Sequence, residues 1–279
     1  SFGVQSFSDH IQRAIGRIQP VEMIEDCMAQ LRHVGIDAFN FDLMYGLPGQ
    51  SISDLQATLD IAIKLAPNRI ALFGYAHMPN LFPRQRRIHD GDLPDSEQRF
   101  AMAACGNRHL TRAGYKAIGF DHFARPDDSL SVAAAQGTLH RNFQGYTDDT
   151  CPIMIGFGAS AISGFPDFYF QNEKHVGTYR ALLREQNFTV SRGVHRTAND
   201  RVRGTLIEKL LCTGNSGPVP GDILEIARPA LDRFALNKLA RIESGSIVIE
   251  PAGLPYSRAI ASTLDGYRAI GGKQFSLAI

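Results

Sequence analysis

Apolar and polar positions follow two periods in the first 120 residues, and the periods take turns. FGVQ at 2–5 has the short alternation of a strand. From Pro20 the spacing widens. Val21, Ile24, Met28 and Leu31 fall three or four apart, which predicts a helix through about Val34 with Gly35 as its stop. IDAFNFDLMYG at 36–46 returns to alternation. Ser53 is expected to cap a second helix with Leu55, Leu59, Ile63 and Leu65 on one face. RIALFGY at 69–75 reads as a strand, Ser96–Ala113 as a helix closed by Gly114, and YKAIGF at 115–120 as a returning buried strand. Strands and helices in this order predict a parallel sheet with right-handed crossovers. The expected class is α/β, as an α/β barrel or part of one. A doubly wound open sheet is the alternative, and neither GxGxxG nor a P-loop is present to support it.

The last third has a different rhythm. GFPDFYFQN at 164–172 reads as a strand pair or edge ribbon. Helices are expected at about 175–186 and 198–212, the second opened by a Thr197/Asp200 capping box. NSGPVPGD at 215–222 reads as a linker or turn cluster. A helix at 222–236, the hairpin-like LARIESGSIVIEP at 239–251 and a final helix at about 255–270 complete the chain. Helices plus a hairpin make a mostly helical, winged-helix-like module. The expected division is 1–172 and 173–279, with the second part serving as a lid or packing domain.

Composition narrows the partners. The 279 residues are 44% hydrophobic and 20% charged with net charge +1, ordinary for a soluble globular protein. No strong field recruits nucleic acid, and the last third carries mixed charge without a basic recognition helix. No apolar run approaches the roughly 20 residues of a membrane span. Cys27, Cys105, Cys151 and Cys212 are far apart and form no CxxC pair, so reduced thiols in a cytoplasmic protein are expected. The chain starts at Ser1, and SFGVQSF reads as a strand in mid-fold, so it is expected to begin inside a larger protein.

The densest chemistry lies at 121–147, DHFARPDDSLSVAAAQGTLHRNFQGYT. Asp121, His122, Arg125, Asp127, Asp128, His140, Arg141, Asn142, Gln144 and Tyr146 share one segment, read as a loop at a strand end. Ordering so many polar groups is costly unless they bind something or pair with one another. In the 36–46 strand, Phe39, Phe41 and Leu43 point one way and Asn40, Asp42 and Met44 the other. Asp42 lies near the carboxyl end, where α/β barrels place ligands. It is read equally as a ligand contact or as a cap on a loop amide. By themselves Gln5 is a polar strand end, Arg17 a surface residue and YGLPGQ at 45–50 a tight turn.

GVQSF at 3–7, FDLMYGLPGQ at 41–50, FGYAHMP at 73–79, DHFARPDD at 121–128, LHRNFQGYT at 139–147 and GFGASAIS at 156–163 occur in this order. Together they resemble the oxygen-independent coproporphyrinogen III oxidase family of radical S-adenosylmethionine (SAM) enzymes, over nearly the whole chain. The ARPDD and HRNFQGYT segments distinguish this resemblance from one to the related heme chaperones. It implies part of a radical SAM barrel followed by a C-terminal helical domain. The implied reaction is oxidative decarboxylation of two propionates of coproporphyrinogen III to vinyl groups in heme biosynthesis, through SAM and a 4Fe–4S cluster. The positions implied for SAM are Gln5, Arg17, Asp42, Ala76 and Ile162, the last two through backbone groups or packing. Arg125, His140 and Arg141 are candidate partners for substrate carboxylates, with pairing to Asp121, Asp127 or Asp128 as the structural alternative. No catalytic residue or metal ligand is assigned. An electron donor such as a flavodoxin-like protein and a monomeric state are also implied. The family's CxxxCxxC loop is not in this sequence. Its ligands are expected upstream, and the chain by itself is expected to be inactive and poorly soluble. A non-catalytic heme-binding relative and a ligand-free remnant are the alternatives.

Overall fold

Phe41 and Leu43 are fully buried while Asn40, Asp42 and Met44 between them are only partly covered, and this alternation sets up the architecture. The computed structural model describes residues 1–267. It opens with β1 (Phe2–Gln5), α1 (Asp9–Ala14), α2 (Val21–His33), β2 (Asn40–Tyr45), α3 (Ile52–Leu65), β3 (Arg69–Gly74) and α4 (Ser96–Arg112). β1, β2 and β3 are parallel neighbours, as the alternating order requires. One face is covered by α2, α3 and α4. Ile24, Met28, Leu55, Leu59, Met102 and Leu110 close on Val4, Phe41, Leu43 and Ile70. Each large buried side chain contributes about 1.5–3 kcal/mol of transfer free energy. The face bearing Gly3, Asn40 and Asp42 is the one turned from these helices.

The cap of α3 is Ser51 and not Ser53. Ser51 Oγ accepts from the Asp54 amide at 3.1 Å, and Asp54 accepts from the Ser51 amide at 2.9 Å, a reciprocal box that Ser53 sits inside.

The sheet then departs from the expected parallel order. Residues 115–120 do not form one returning strand. They hold β4 (Lys116–Ile118), and Gly119 turns the chain at φ 60° into β5 (His122–Ala124). β5 pairs antiparallel with both β3 and β4, so the sheet order is β1-β2-β3-β5-β4. A Cβ at Gly119 would lie 1.9 Å from the Tyr146 hydroxyl, so glycine is required there for space as well as for φ.

The segment read as a loop is mostly regular. It contains β5, α5 (Ser129–Gln136) and the hairpin β6 (His140–Asn142) with β7 (Gly145–Thr147). Beyond it come β8 (Ile162–Gly164), β9 (Phe168–Asn172), α6 (Val176–Arg184) and β10 (Val190–His195). β9 lies between β8 and β10 in a separate antiparallel sheet. The ladder joins residues on both sides of position 172.

The chain continues with α7 (Ala198–Thr213), β11 (Asn215–Pro218), α8 (Gly221–Leu236), β12 (Ala240–Glu243), β13 (Ser246–Ile249) and α9 (Ser257–Ala261). The Thr197/Asp200 box forms as expected. The turn cluster at 215–222 contains a strand, since β11 pairs with β13 beside the β12–β13 hairpin. Leu206, Leu210, Ile223, Leu231, Ile247 and Ile260 form this unit's own core. The expected last helix is broken into 3-10 turns on either side of α9, with Pro255 in the first. Its end, 268–270, lies outside the described residues.

Candidate functional site

The best-built polar cluster sits where β1 ends. Gln5 adopts φ 67°, a left-handed conformation uncommon for a side chain other than glycine. Its amide lies back over Gly3, and Arg17 reaches the same place. A Cβ at Gly3 would meet Gln5 Nε2 at 2.9 Å and Arg17 Nη2 at 3.0 Å. Gly3 is therefore the floor of a small cradle whose rim carries two N–H donors.

Arg17 is held there by the buried Gln12. Gln12 Nε2 donates to the carbonyls of Ser6 at 2.9 Å and Gln19 at 2.8 Å, and its Oε1 accepts from the Gln19 amide at 2.8 Å. These bonds fold the turn after α1 back against the end of β1. Arg17 Nε donates to Gln19 Oε1 at 2.5 Å. Asp42 lies opposite Gly3 in the β1–β2 register. It accepts from Asn40 Nδ2 at 2.8 Å and from the Ser1 hydroxyl at 2.9 Å. A guanidinium and an amide on one side and a carboxylate on the next strand suit a molecule carrying both an anionic group and hydroxyls or an ammonium.

Ala76 follows β3, and its carbonyl accepts from Gln85 Nε2 at 3.1 Å. Ile162 opens β8 and pairs with Gln171 in the other sheet. The structure thus draws Gln5, Arg17 and Asp42 into one cluster, sets Ala76 just beyond the carboxyl end of β3, and puts Ile162 on a separate sheet.

The three candidate carboxylate partners scatter. Arg125 lies at the amino end of β3, where its amide donates to the Asn68 carbonyl at 2.9 Å and its side chain faces Asp127 at 3.6 Å. That is the opposite end of the strand from Ala76. His140 Nδ1 donates to Glu208 of α7 at 3.0 Å, and the same carboxylate accepts from the Arg141 amide at 3.1 Å. The Arg141 guanidinium lies 5.5 Å from the ring centres of both Phe120 and Tyr146, with its Nε buried and unpartnered.

Much of the remaining polarity at 121–147 is satisfied internally. Asp128 caps α5 and takes a bond from Arg69 Nε at 2.9 Å. His122 Nδ1 donates to Asp121 at 2.6 Å, and its ring stands against Phe73 and Tyr146. Burial first, and then the Asp121 charge, pushes the Tyr146 hydroxyl well above its usual pKa, and that hydroxyl donates to the Leu211 carbonyl at 3.1 Å. Sequence reasoning missed Gln12 and Glu208. Glu208 contacts His140 across 68 positions, and no local pattern marks such a partner. Gln12 leaves only a weak trace, a polar residue at a buried helix position.

Among the described residues no three His, Cys, Asp or Glu side chains gather as a ligand set for a metal, so the residues present do not fit an iron–sulfur cluster. Nor is any described helix long and apolar enough to cross a membrane.

The sequence profile of the Radical SAM superfamily matches residues 1–62. The chain is 46% identical to an oxygen-independent coproporphyrinogen III oxidase of Bradyrhizobium diazoefficiens, over 100% of this chain and 64% of that protein. It is 41% identical to one of Cereibacter sphaeroides, over 96% of this chain and 61% of that protein. A solved structure of coproporphyrinogen III oxidase from Escherichia coli, described as a radical SAM enzyme, superimposes with a TM-score of 0.86 at 36% identity. That likeness covers 95% of this chain and 63% of the other. The chain spans somewhat under two thirds of the length of each of these proteins.

Proposed function

From this chain's kinship with the oxygen-independent coproporphyrinogen III oxidases, we propose that it forms the SAM- and porphyrinogen-facing part of such an enzyme. The observation that carries the reading is the Gly3 cradle, with Gln5 and Arg17 above it and Asp42 beside it. Arg17 and Gln5 hold the amino-acid carboxylate of SAM, Arg17 through a charge-assisted bond. Asp42 accepts from ribose hydroxyls or the ammonium. In this enzyme class SAM with a reduced 4Fe–4S cluster would supply abstraction of a hydrogen atom from a propionate of coproporphyrinogen III, and loss of carbon dioxide together with one electron to an external electron acceptor would leave the vinyl group. The described residues supply no ligand set for the cluster, and the chain's own part is to bind and orient. His140 and Arg141 face the substrate carboxylates, Arg141 backed by two aromatic rings. Arg125 is assigned a structural role at the foot of β3. Residues 1–172 carry the cofactor face and 173–279 the covering unit, to which β10 belongs although it pairs with β9. The enzyme is cytoplasmic and monomeric and takes electrons from a flavodoxin-like donor.

Equilibrium dialysis with radiolabelled SAM tests the cradle. Losing a hydrogen bond to a charged group costs about 1.5–3 kcal/mol, so Arg17→Ala is expected to weaken SAM binding roughly ten- to hundredfold. Gly3→Ala, which crowds both donors, is expected to act in the same direction with far-ultraviolet circular dichroism unchanged. Unaltered SAM affinity in both folded variants contradicts the reading.

A further inference from the structure

A second concave site lies on the other face of the sheet, and the cradle has no part in it. A cavity of about 300 Å³ opens between the carboxyl ends of β2 and β3, α4 and the 3-10 turn before α9. Arg99 and Arg108 project from α4, and Arg258 comes from α9. None of the three has a carboxylate within 4 Å among the described residues, and none of their side chains makes a hydrogen bond there. Arg99 Nε is buried without a partner.

The place of Arg99 is built into the backbone. Its stem crosses Gly46, where a Cβ would lie 3.4 Å from Arg99 Cγ. Its tip crosses Gly74, where a Cβ would lie 3.2 Å from Arg99 Nη2 and 3.0 Å from the Tyr45 hydroxyl. Burial raises the Tyr45 pKa, with the Arg99 and Arg258 charges opposing and Asp121 assisting, so these groups share one electrostatic neighbourhood. Asp121 is the one carboxylate on the lining, and it is bonded to His122. Apart from Asn107 the remaining wall is apolar and includes Leu72, Phe123 and Leu254.

Three cations lining one hollow repel one another, and the buried Nε of Arg99 is left unsatisfied, a cost that an anion offsets. A guanidinium presents a planar fork that matches a carboxylate. We infer that this cavity binds a small organic acid, its carboxylate on Arg99 and Arg258 and its apolar body against Leu72, Phe123 and Leu254. The volume suits one compact ring or a short branched chain. The inference is independent of the SAM reading, because the cavity lies on the α4 side of the sheet and Asp42 on the opposite side.

Benzoate is the probe, with benzamide as its uncharged counterpart and inorganic phosphate as an anion without an apolar body. Binding to the full chain is followed by titration at fixed ionic strength. Benzoate is expected to bind at least tenfold tighter than benzamide or phosphate. Arg99→Gln is expected to weaken it at least tenfold and Arg258→Gln severalfold. With no anion present, both variants are expected to melt at or above the parent temperature, because each removes an unpaired like charge. Arg258 is exposed, so its variant decides the matter if Arg99→Gln does not fold. Equal binding of benzoate and benzamide overturns the proposal. So does phosphate binding as tightly as benzoate, or benzoate affinity unchanged in the folded variants.

Discussion

Two neighbouring stretches of this chain reach their shapes by different means. Residues 198–264 fold round a core of their own, with Leu210, Ile247, Ile260 and Leu264 essentially sealed. Residues 151–196 form a three-stranded sheet and a helix in which Asn172 is the one buried side chain. Every residue of β10 is exposed, α6 buries nothing, and Phe157 and Phe188 are 89% and 93% exposed. This second stretch is held by ladder hydrogen bonds and by the Asn172 amide, which donates to the carbonyls of Gly156 at 3.1 Å and Gly158 at 3.0 Å. Net hydrogen bonds in water contribute only about 1 kcal/mol each, so such a sheet is well shaped but weakly stabilised. Shape and stability are separate outcomes of one sequence.

The sharpest way to break the comparison is to delete matched side chains. Leu210→Ala, in the sealed core, is expected to cost about 2–5 kcal/mol by urea unfolding. Phe188→Ser, in the open sheet, is expected to stay within about 0.5 kcal/mol. Comparable losses at both positions would show that the open sheet has a core after all.

Cysteine chemistry sharpens the contrast. Burial first, and the Glu208 charge second, push the Cys212 thiol up to about 12, whereas Cys151 is exposed. Iodoacetamide at pH 8 is expected to label Cys151 faster by on the order of a hundredfold. The folded Cys212 keeps its proton where the unfolded thiol, at 9.0, has lost it. Its contribution to stability is therefore complete below pH 9 and declines as pH rises towards 12. Mass spectrometry showing equal labelling would contradict the burial of Cys212.

The smallest effect is at the first turn of α7. Thr197→Ala removes the cap and is expected to cost about 1 kcal/mol. The Thr197 amide and then its hydroxyl hold the Asp200 carboxyl below its ordinary 3.8. That contribution is present above pH 3.8 and fades as pH falls through the lower folded value. The variant is expected to show a flatter acid limb in its unfolding midpoint, and an unchanged limb would place the acid sensitivity elsewhere.

Local chemistry made much of this fold legible. The alternation at Phe39, Asn40, Phe41, Asp42 and Leu43 gave the two faces of β2, and Thr197 with Asp200 marked the start of α7. Strand direction was not legible, because the period of two is the same in parallel and antiparallel pairs, and β5 was hidden inside a polar run. At the candidate site, Asp42 could be read from its face, whereas Gln5 and Arg17 depended on the family resemblance. The Gly3 cradle follows from a left-handed glutamine that no periodicity announces. Arg99, Arg258 and Glu208 gain meaning only through contacts between distant segments.

The central claim is tested most directly by anaerobic turnover. The polypeptide encoded by the complete reading frame around this chain is reconstituted with iron and sulfide, reduced, and given SAM and coproporphyrinogen III. The account predicts protoporphyrinogen IX from the parent and a large loss of product in folded Arg17→Ala. An assembled cluster with SAM and porphyrinogen bound but no decarboxylated product would contradict it.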